Sequence, residues 1–443
     1  MDKVIVVGNG GREDAIARTI AVSPEVSDVW MTGTNEGALQ SENIHDLTET
    51  DYSDVLSAAK DLGALVFIGP EQPAIDGLGD DLREEGVLVF GPGKEGAALE
   101  GSKVTFEDFC EKHGIYRPET HKLFGPDDLD KGLSVLDSAG GYDSWVVKAS
   151  GPAAGKGAVL PESREEGRAT IQGMLSGELF DGAGREAVMQ RKWTGPEVSV
   201  FVVTDGKNLT VIPYFAQDHK RLLDGDQGLN TGGMGAYTNV PERIISADQR
   251  RQLEEMAHQI VNGLEEDGID YKGAFFMGAM MDEPGGRAGL LELNVRFGDP
   301  ETQGVVPMIQ RSGKDFYRDL ARPAAEGNLP ANIQWSEIGG AALTVVLAAE
   351  GYPTKPVKGA VINGLYNQFG RDVEVFHAGT KKDKDTGQTV VNGGRVAGVT
   401  GFGETIDDAA EAAYGAIGEQ NDGIHWQGMQ YRTDIGYQAR KTA

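Results

Sequence analysis

The chain has 443 residues, of which 39% are hydrophobic, and a formal net charge of -28 at pH 7. This length predicts about two to four folding units. The negative charge argues against a nucleic-acid partner, because phosphate backbones are bound by basic surfaces. The first apolar run, Val4 to Val7, is too short to span a membrane, and the single cysteine, Cys110, indicates a reducing compartment. A cytoplasmic protein with no membrane partner is therefore expected.

The N-terminal part of the chain alternates short apolar runs with helical stretches. A helix is predicted at residues 13–21, and strands are predicted at residues 3–8, 29–32, 65–68 and 87–90. Continuous apolar runs separated by helices indicate a parallel α/β sheet, whose ligands bind beyond the carboxyl ends of the strands. Glycine turns follow three of the strands, at Gly8, Gly69 and Gly91, and we expect them at one edge of the sheet.

The rest of the chain has a different pattern. After a predicted helix at 104–113, apolar runs interrupted by glycine indicate a mixed α+β region, with strands at 145–149, 187–190, 198–203, 209–214, 274–281 and 289–295. A third unit is predicted from about Pro330, with strands at 341–348, 373–377 and 394–399 and a helix at 407–417. Few functional residues cluster in this unit, which favours a packing or closing role.

The first glycine-rich turn, from Gly8 to Glu13, lies between a predicted strand and a predicted helix. Free backbone N–H groups and the helix dipole attract anions there, so a phosphate is the expected ligand. A dinucleotide cofactor is disfavoured because Glu13 stands where the dinucleotide-binding motif has its third glycine. A tight turn without a ligand is the alternative, and Arg12 beside the glycines weakens it.

A second glycine-rich loop runs from Gly151 to Gly157, and Lys148 precedes it at the end of a predicted strand. The spacing excludes a P-loop, because three residues separate Gly151 from Gly155 and a glycine rather than a hydroxyl residue follows Lys156. Two lysines beside a flexible loop can neutralise the α- and β-phosphates of ATP. The alternative is that these are solvated surface lysines. That interpretation usually holds for a single lysine and less often for such a pair.

A long polar stretch, residues 217–235, contains Asp218 and His219. Such a density of carboxylate, imidazole and cationic groups is costly unless it lines a site. Zinc is not expected there, since no second histidine or cysteine lies at ligand spacing.

The strongest signal is the segment from Leu290 to Glu301. In a strand, Glu292, Asn294 and Arg296 would point to one face, so that an acid, an amide and a guanidinium converge. Glutamate and asparagine oxygens suit Mg²⁺, which keeps waters and bridges to substrate phosphates, and an arginine can clamp a carboxylate or an acyl phosphate. The alternative is a solvent-facing polar stripe on an edge strand, and the apolar residues around the segment disfavour it.

These segments resemble successive motifs of the phosphoribosylamine–glycine ligase family, in the family's order and along nearly the whole chain. The blocks that carry the resemblance are VVGNGGRE at 6–13, GPE at 69–71, EGSK at 100–103, GKG at 155–157, QDHKR at 217–221, NTGGMG at 230–235, NVRFGDPETQ at 294–303, GRV at 394–396 and YRTDIG at 431–436. Chance does not produce such an ordered series.

The resemblance implies an ATP-grasp fold that combines α/β and α+β domains. A Rossmann-like N-terminal substrate-binding domain is expected at 1–102 and an ATP-grasp domain at 103–328, with a mobile lid at about 120–192. A C-terminal domain is expected at 329–443. We expect a monomer or a weak oligomer.

The resemblance also implies a reaction of de novo purine biosynthesis, with ATP as co-substrate and Mg²⁺ or Mn²⁺ as cofactor. The carboxylate of glycine would take the γ-phosphoryl group of ATP. The amine of 5-phosphoribosylamine would then attack the glycyl phosphate, giving glycinamide ribonucleotide, ADP and phosphate. No covalent enzyme nucleophile is required, because phosphoryl transfer needs mostly positioning and charge neutralisation.

The matched blocks imply the site residues. Those expected to bind ATP are Lys103, Lys148, Gly155, Lys156, Gly157 and Glu197, and those expected to hold the metal are Glu292 and Asn294. Those expected to orient glycine and stabilise the acyl phosphate are Asp218, Arg296 and Asp299. Those expected to bind phosphoribosylamine are Asn9, Gly10, Gly11, Arg12 and Glu71.

The chain departs from the family's pattern at three places. Asp14 stands where histidine is usual, Pro152 where leucine is usual, and Gln190-Arg191 where paired glutamates are usual. The alternatives are another ATP-grasp ligase or carboxylase of purine or biotin chemistry, a nucleotide-binding regulatory protein without turnover, and a dinucleotide oxidoreductase. The QDHKR and RFGDPE blocks favour the glycine ligase over the other ATP-grasp enzymes.

Overall fold

The computed structural model describes residues 1–138, 140–151, 157–180, 185–335, 339–419 and 422–440. The strands there are β1 (Asp2–Val7), β2 (Val26–Met31), β3 (Ile44–Asp46), β4 (Leu65–Ile68), β5 (Val89–Pro92), β6 (Thr120–Phe124), β7 (Trp145–Ala149), β8 (Ala158–Val159), β9 (Glu186–Arg191), β10 (Glu197–Thr204), β11 (Leu209–Val211), β12 (Ala216–Asp218), β13 (Arg221–Leu223), β14 (Gln227–Asn230), β15 (Gly235–Thr238), β16 (Tyr271–Met281), β17 (Ala288–Asn294), β18 (Ala341–Ala348), β19 (Val373–His377), β20 (Thr380–Lys382), β21 (Thr389–Val391) and β22 (Arg395–Gly403). The α-helices are α1 (Gly11–Ala21), α2 (Val55–Leu62), α3 (Glu71–Asp76), α4 (Leu78–Glu84), α5 (Lys94–Gly101), α6 (Lys103–Lys112), α7 (Leu129–Leu136), α8 (Arg164–Ser176), α9 (Ala247–Glu266), α10 (Thr302–Arg311), α11 (Arg322–Glu326) and α12 (Ile406–Gly415).

One large mixed sheet joins the three predicted units. Its strand order is β19-β22-β18-β15-β12-β10-β16-β5-β4-β1-β2-β3, with β11 beside β10 and β17 beside β16. The N-terminal strands β1, β2, β4 and β5 pair in parallel, as their continuous apolar runs predict. The antiparallel pairing of β5 with β16 links this unit to the central strands, and that of β15 with β18 links the central strands to the C-terminal ones. Side chains from all three units can therefore meet along one surface.

Two of the three predicted glycine turns lie together at the expected edge. A Cβ atom on Gly8 or on Gly69 would stand within 2.7 Å of atoms of Glu13, so both turns admit only glycine beside that side chain. Gly91 is different, and its prediction as a turn is wrong. Strand β5 continues through Pro92 because it pairs with β16, where Gly91 lies opposite Lys272.

A four-stranded sheet in the order β6-β9-β7-β8 forms a separate layer. Helices α7 and α8 cover it, and its core contains Leu123, Trp145, Val147, Ile171 and Met189. This layer falls within the segment at 120–192 that the resemblance assigns to a lid, and the boundaries of that lid remain a prediction.

The strand predicted at 209–214 is shorter than expected. Strand β11 ends at Val211, and Pro213, which has no backbone N–H to donate to a ladder, precedes the next strand, β12. None of the helices in the described ranges is long and apolar enough to cross a membrane.

Candidate active site

The side chain of Glu13 stabilises the turn between β1 and α1 by accepting hydrogen bonds from within the turn. The backbone N–H of Gly10 donates to Glu13 Oε2 at 2.9 Å, and Arg12 Nε donates to Glu13 Oε1 at 2.5 Å. Arg12 is 7% exposed and also donates to the carbonyl of Phe297 at 3.1 Å. The protein itself therefore holds the guanidinium of Arg12. The N–H groups of the first helical turn, which have no intrahelical partner, are the natural donors to an anion.

Asn35, which belongs to none of the motif blocks, fixes this turn. Its Nδ2 donates to the carbonyl of Asn9 at 2.9 Å and to the carbonyl of His377 at 2.8 Å, and its Oδ1 accepts from Gly37 N at 3.0 Å. A buried amide thus ties the glycine turn to strand β19. No local pattern marks Asn35, because His377 lies 342 residues away in the chain.

Three lysines surround the carboxylate of Glu292. Burial by itself raises the pKa of Glu292, but Lys220, Lys148 and Lys103 outweigh burial and lower that pKa to about 2. The carboxylate is therefore ionised throughout the physiological range. An isolated buried carboxylate would not remain charged, so this group and its cations form one electrostatic unit.

The same lysines have further partners at the edge of a cleft. Lys148 Nζ donates to Gln190 Oε1 at 2.6 Å, and burial lowers the pKa of Lys148. Lys220 Nζ lies 2.5 Å from Glu197 Oε1. The cleft has a volume of about 580 Å³, and Glu197, Asp218 and Lys220 line it. Glu197 and Asp218, which were predicted to bind ATP and glycine, are thus brought to one cleft together with Lys220, which the prediction omitted.

The predicted metal ligands lie side by side near the end of β17. Asn294 Nδ2 donates to Glu292 Oε1 at 3.3 Å, so the two side chains present oxygen atoms from one strand. In the described part of the chain no group of three histidine, cysteine, aspartate or glutamate side chains could hold a metal ion. An ionised carboxylate beside an amide oxygen suits Mg²⁺ or Mn²⁺, which take their remaining ligands from water and phosphate.

Arg296 lies beyond the strand that carries these two residues, and its guanidinium stays near them, since Glu292 is among the carboxylates that raise the pKa of Arg296. Strand β17 ends at Asn294, and the Arg296 guanidinium reaches two carboxylates of the N-terminal unit. Its Nη2 donates to Glu100 Oε1 at 2.8 Å, and its Nε donates to Glu71 Oε2 at 3.2 Å. Arg296 and Glu71, which were predicted to contact different substrates, therefore form an ion pair with each other.

Asp299 is held by Arg395 of the C-terminal strands. Arg395 Nη2 donates to Asp299 Oδ2 at 2.9 Å, while Nη1 donates to the carbonyls of Asp299 and Gly232, each at 2.7 Å. Burial raises the pKa of Asp299, but Arg395 and Arg12 hold it below its ordinary value. The C-terminal unit, predicted to be a packing or closing domain, thus also shapes the site.

The polar stretch at 217–235 forms the hairpin β13–β14, which the C-terminal segment holds in place. The fully buried Arg432 donates to Asp226 Oδ1 and to Asp434 Oδ1, each at 2.7 Å. His219 is 1% exposed, and its Nε2 accepts from Gly436 N at 3.2 Å. His219 is therefore a structural residue beneath the site.

His219 is expected to make the stability of the protein depend on pH. Burial and Arg432 lower the pKa of His219 from 6.5 to about 4, against the opposing effect of Asp226 and Asp434. Between these values the unfolded chain binds a proton that the folded chain does not, so stability falls as the pH falls from about 6.5 to 4. We expect His219→Gln to remove up to about 3 kcal/mol of this dependence in urea unfolding across that range. The control is His258→Gln, because His258 is exposed. An equal dependence of the unfolding free energy on pH in the wild type and in His219→Gln would contradict the prediction.

Two of the predicted ATP-binding residues, Gly155 and Lys156, lie outside the described residues, as does Pro152. Gly157 is buried, and its carbonyl accepts from Ala149 N at 2.8 Å at the end of β7. The remaining departures from the family's pattern have partners. Asp14 accepts from Arg18 and from His377 N, and Gln190 pairs with Lys148.

Three models of one protein family match consecutive segments of the chain. The N domain of phosphoribosylglycinamide synthetase matches residues 2–100, its ATP-grasp (A) domain matches 101–302, and its C domain matches 342–438. The chain belongs to the phosphoribosylglycinamide synthetase family. The resemblance carried by the motif blocks and the ATP-grasp fold that it implied are both confirmed.

Individual proteins agree with this assignment. A phosphoribosylamine–glycine ligase of Mesorhizobium japonicum is 39% identical over 440 residues, which cover 98% of each chain. The crystal structure of a phosphoribosylamine–glycine ligase from Thermotoga maritima has a TM-score of 0.82 at 32% identity and covers 98% of this chain and 100% of that one. The biotin carboxylase domain of a 2-oxoglutarate carboxylase from Hydrogenobacter thermophilus has a TM-score of 0.71 at 16% identity, and at that identity the likeness shows the fold alone.

Proposed function

We propose that this enzyme joins glycine to 5-phosphoribosylamine at the expense of ATP, giving glycinamide ribonucleotide, ADP and phosphate. The observation that carries the proposal is the ionised Glu292 carboxylate among Lys103, Lys148 and Lys220, in a chain that matches this ligase family along its length. A cluster of cations around one carboxylate is suited to a polyphosphate that carries a divalent ion.

The nucleotide would bind near Lys103, Lys148 and Glu197. Lys148 at the end of β7 and Lys103 at the start of α6 would contact the phosphates, and Glu197 at the start of β10 would lie at the same cleft. The loop that contains Gly155, Lys156 and Gly157 would cover the phosphates. The cations would neutralise the charge on the transferred phosphoryl group.

Glu292 and Asn294 are the residues that would hold Mg²⁺ or Mn²⁺. When bound there, the ion supplies further charge neutralisation on the phosphates. The other contribution of these side chains is positional, because both project from β17, which pairs with β16 in the large sheet.

Asp218 and Asp299 would orient glycine, since carboxylates suit its ammonium group. Arg395 holds Asp299 in its ionised form. The guanidinium of Arg296, fixed by Glu71 and Glu100, would place a positive charge near the acyl phosphate.

The phosphate of 5-phosphoribosylamine would bind to Asn9, Gly10, Gly11 and Arg12 at the start of α1, with Glu71 beside them. In the first step a carboxylate oxygen of glycine attacks the γ-phosphorus, and ADP leaves. In the second step the amine nitrogen attacks the acyl carbon, phosphate leaves, and the nitrogen loses a proton as the C–N bond forms. Positioning of the three reactants supplies most of the acceleration.

Omission of each substrate in turn tests the proposal. We expect ADP release to require glycine, 5-phosphoribosylamine and a divalent metal ion together, and the product to be glycinamide ribonucleotide by mass. Stimulation by bicarbonate in place of glycine would move the assignment to a carboxylase. Binding of ATP with no turnover under any combination would indicate a regulatory protein.

A further inference from the structure

Gln303 carries a buried oxygen atom that has no hydrogen-bond partner among the residues described. The residue is 2% exposed, and its Oε1 is one of few buried polar side-chain atoms left in that state. Buried acceptors are nearly always satisfied, since an unsatisfied one costs free energy. This open acceptor lies next to the start of α1, where a phosphorylated ligand is proposed to bind, so a donor on that ligand could satisfy it.

The orientation of the Gln303 amide is fixed by its neighbour. Gln303 Nε2 donates to Asp299 Oδ1 at 2.7 Å. The carboxylate of Asp299 is ionised and can only accept, because its pKa is held below the ordinary value. A flipped amide would place two acceptors against each other. The open atom is therefore the carbonyl oxygen, and it requires an N–H or O–H donor.

The position of Gln303 identifies the part of the ligand that it faces. A Cβ atom on Gly11 would stand 2.7 Å from Gln303 Nε2, so the side chain lies directly against the first residue of α1. At neutral pH a phosphate bound to this helix start carries at most one titrating proton, so it is a poor hydrogen-bond donor. The nearest donors of a phosphorylated sugar are its ribose hydroxyls, whereas an amine on C1 is at the far end of the sugar.

We propose that Gln303 Oε1 accepts a hydrogen bond from a ribose hydroxyl of the phosphorylated sugar bound at the start of α1. This inference rests on the proposed function and adds a specificity-determining residue to it. Gln303 thereby links the sugar to Asp299, which is expected to orient glycine. One amide would align the two substrates that the reaction joins.

Calorimetric titration with ribose 5-phosphate and with inorganic phosphate tests the contact in the full chain. We expect Gln303→Met to weaken binding of ribose 5-phosphate by about 10-fold or more, and to leave inorganic phosphate unchanged. The matched control is Gln310→Met on the same helix, whose side chain accepts from Phe316 N at 3.4 Å. Gln310→Met should bind both ligands like the wild type.

A second variant separates the contact from damage to the fold. In Gln303→Glu a protonated carboxyl group reproduces both the donor to Asp299 and the open acceptor. We therefore expect its affinity for ribose 5-phosphate, relative to that of the wild type, to recover as the pH falls from 8 to about 5. Recovery at low pH for inorganic phosphate as well as for ribose 5-phosphate would mean that residue 303 only supports Asp299 and the turn, and it would overturn the proposal.

Several outcomes overturn the proposal. Unchanged binding of both ligands by Gln303→Met means that buried water satisfies the oxygen, and equal loss for both means that the glutamine only shapes the turn. A raised KM for 5-phosphoribosylamine with unchanged ribose 5-phosphate binding makes the amine the donor. A wild type that does not bind ribose 5-phosphate removes the site. Failure of the omission assay with the Gln303 dependence intact would reject the reaction but not the contact.

Discussion

Glu292→Ala is expected to lower kcat by at least about 100-fold with the fold retained. The change deletes the carboxylate that the structure places among Lys220, Lys148 and Lys103, and with it an oxygen ligand suited to the metal ion. The lysines would then repel one another at the point where the phosphates bind. The measurement is steady-state ADP release at saturating substrates, with thermal unfolding recorded in parallel.

Glu283→Ala is the matched control for this variant. Glu283 is exposed and lies in the turn between β16 and β17, the same hairpin that carries Glu292. We expect wild-type activity from Glu283→Ala. Full activity in Glu292→Ala would remove the metal site, and equal losses in both variants would indicate damage to the hairpin.

Arg296→Met is expected to destabilise the protein by about 3 kcal/mol. The change leaves the largely buried carboxylate of Glu100, which lies in helix α5 and 196 residues away in the chain, without its cation. Glu71 loses the same partner but is more exposed, so it contributes less. The shift in the urea unfolding midpoint measures the effect.

Glu100→Gln combined with Arg296→Met should recover most of the lost stability, because it removes the uncompensated charge. Arg322→Met is the control, since Arg322 also pairs with carboxylates but at the surface, and we expect a change below about 1 kcal/mol. If the double variant regains stability but stays inactive, Arg296 also acts on the substrates. A stable single variant would refute the ion-pair account.

Several strands could be predicted to the residue. The strands at 65–68, 145–149, 341–348 and 373–377 begin and end where the apolar runs do. The runs at 65–68 and 341–348 are buried throughout, and the run at 145–149 alternates buried with half-buried residues, so the local pattern contains the information there. The glycine turn before α1 and the Glu292–Asn294 pair were also found, because their residues are close in sequence.

The partners of the charged side chains could not be predicted in the same way. Arg296 was interpreted as one of three residues on a strand face, but the strand ends at Asn294 and the guanidinium pairs with Glu71 and Glu100. Arg395 was noted within a motif block, yet nothing in that block indicates its contact with Asp299. Asn35 lies in no motif block, and Gln303 ends the block at 294–303, but neither local pattern indicates the partner of the side chain.

Short segments of the sequence determine where many strands lie along the chain, where the glycine turns lie, and which residues suit a phosphate and a divalent ion. In these segments apolar periodicity and backbone freedom act between near neighbours. The alignment of those segments into one site is a different matter. Pairing of β5 with β16 and of β15 with β18 joins three units into one sheet, and the contacts Asn35–His377, Arg296–Glu100 and Arg395–Asp299 then cross between them. Such contacts depend on burial and distance in the folded chain, which residues far apart in sequence acquire only when the sheet has formed.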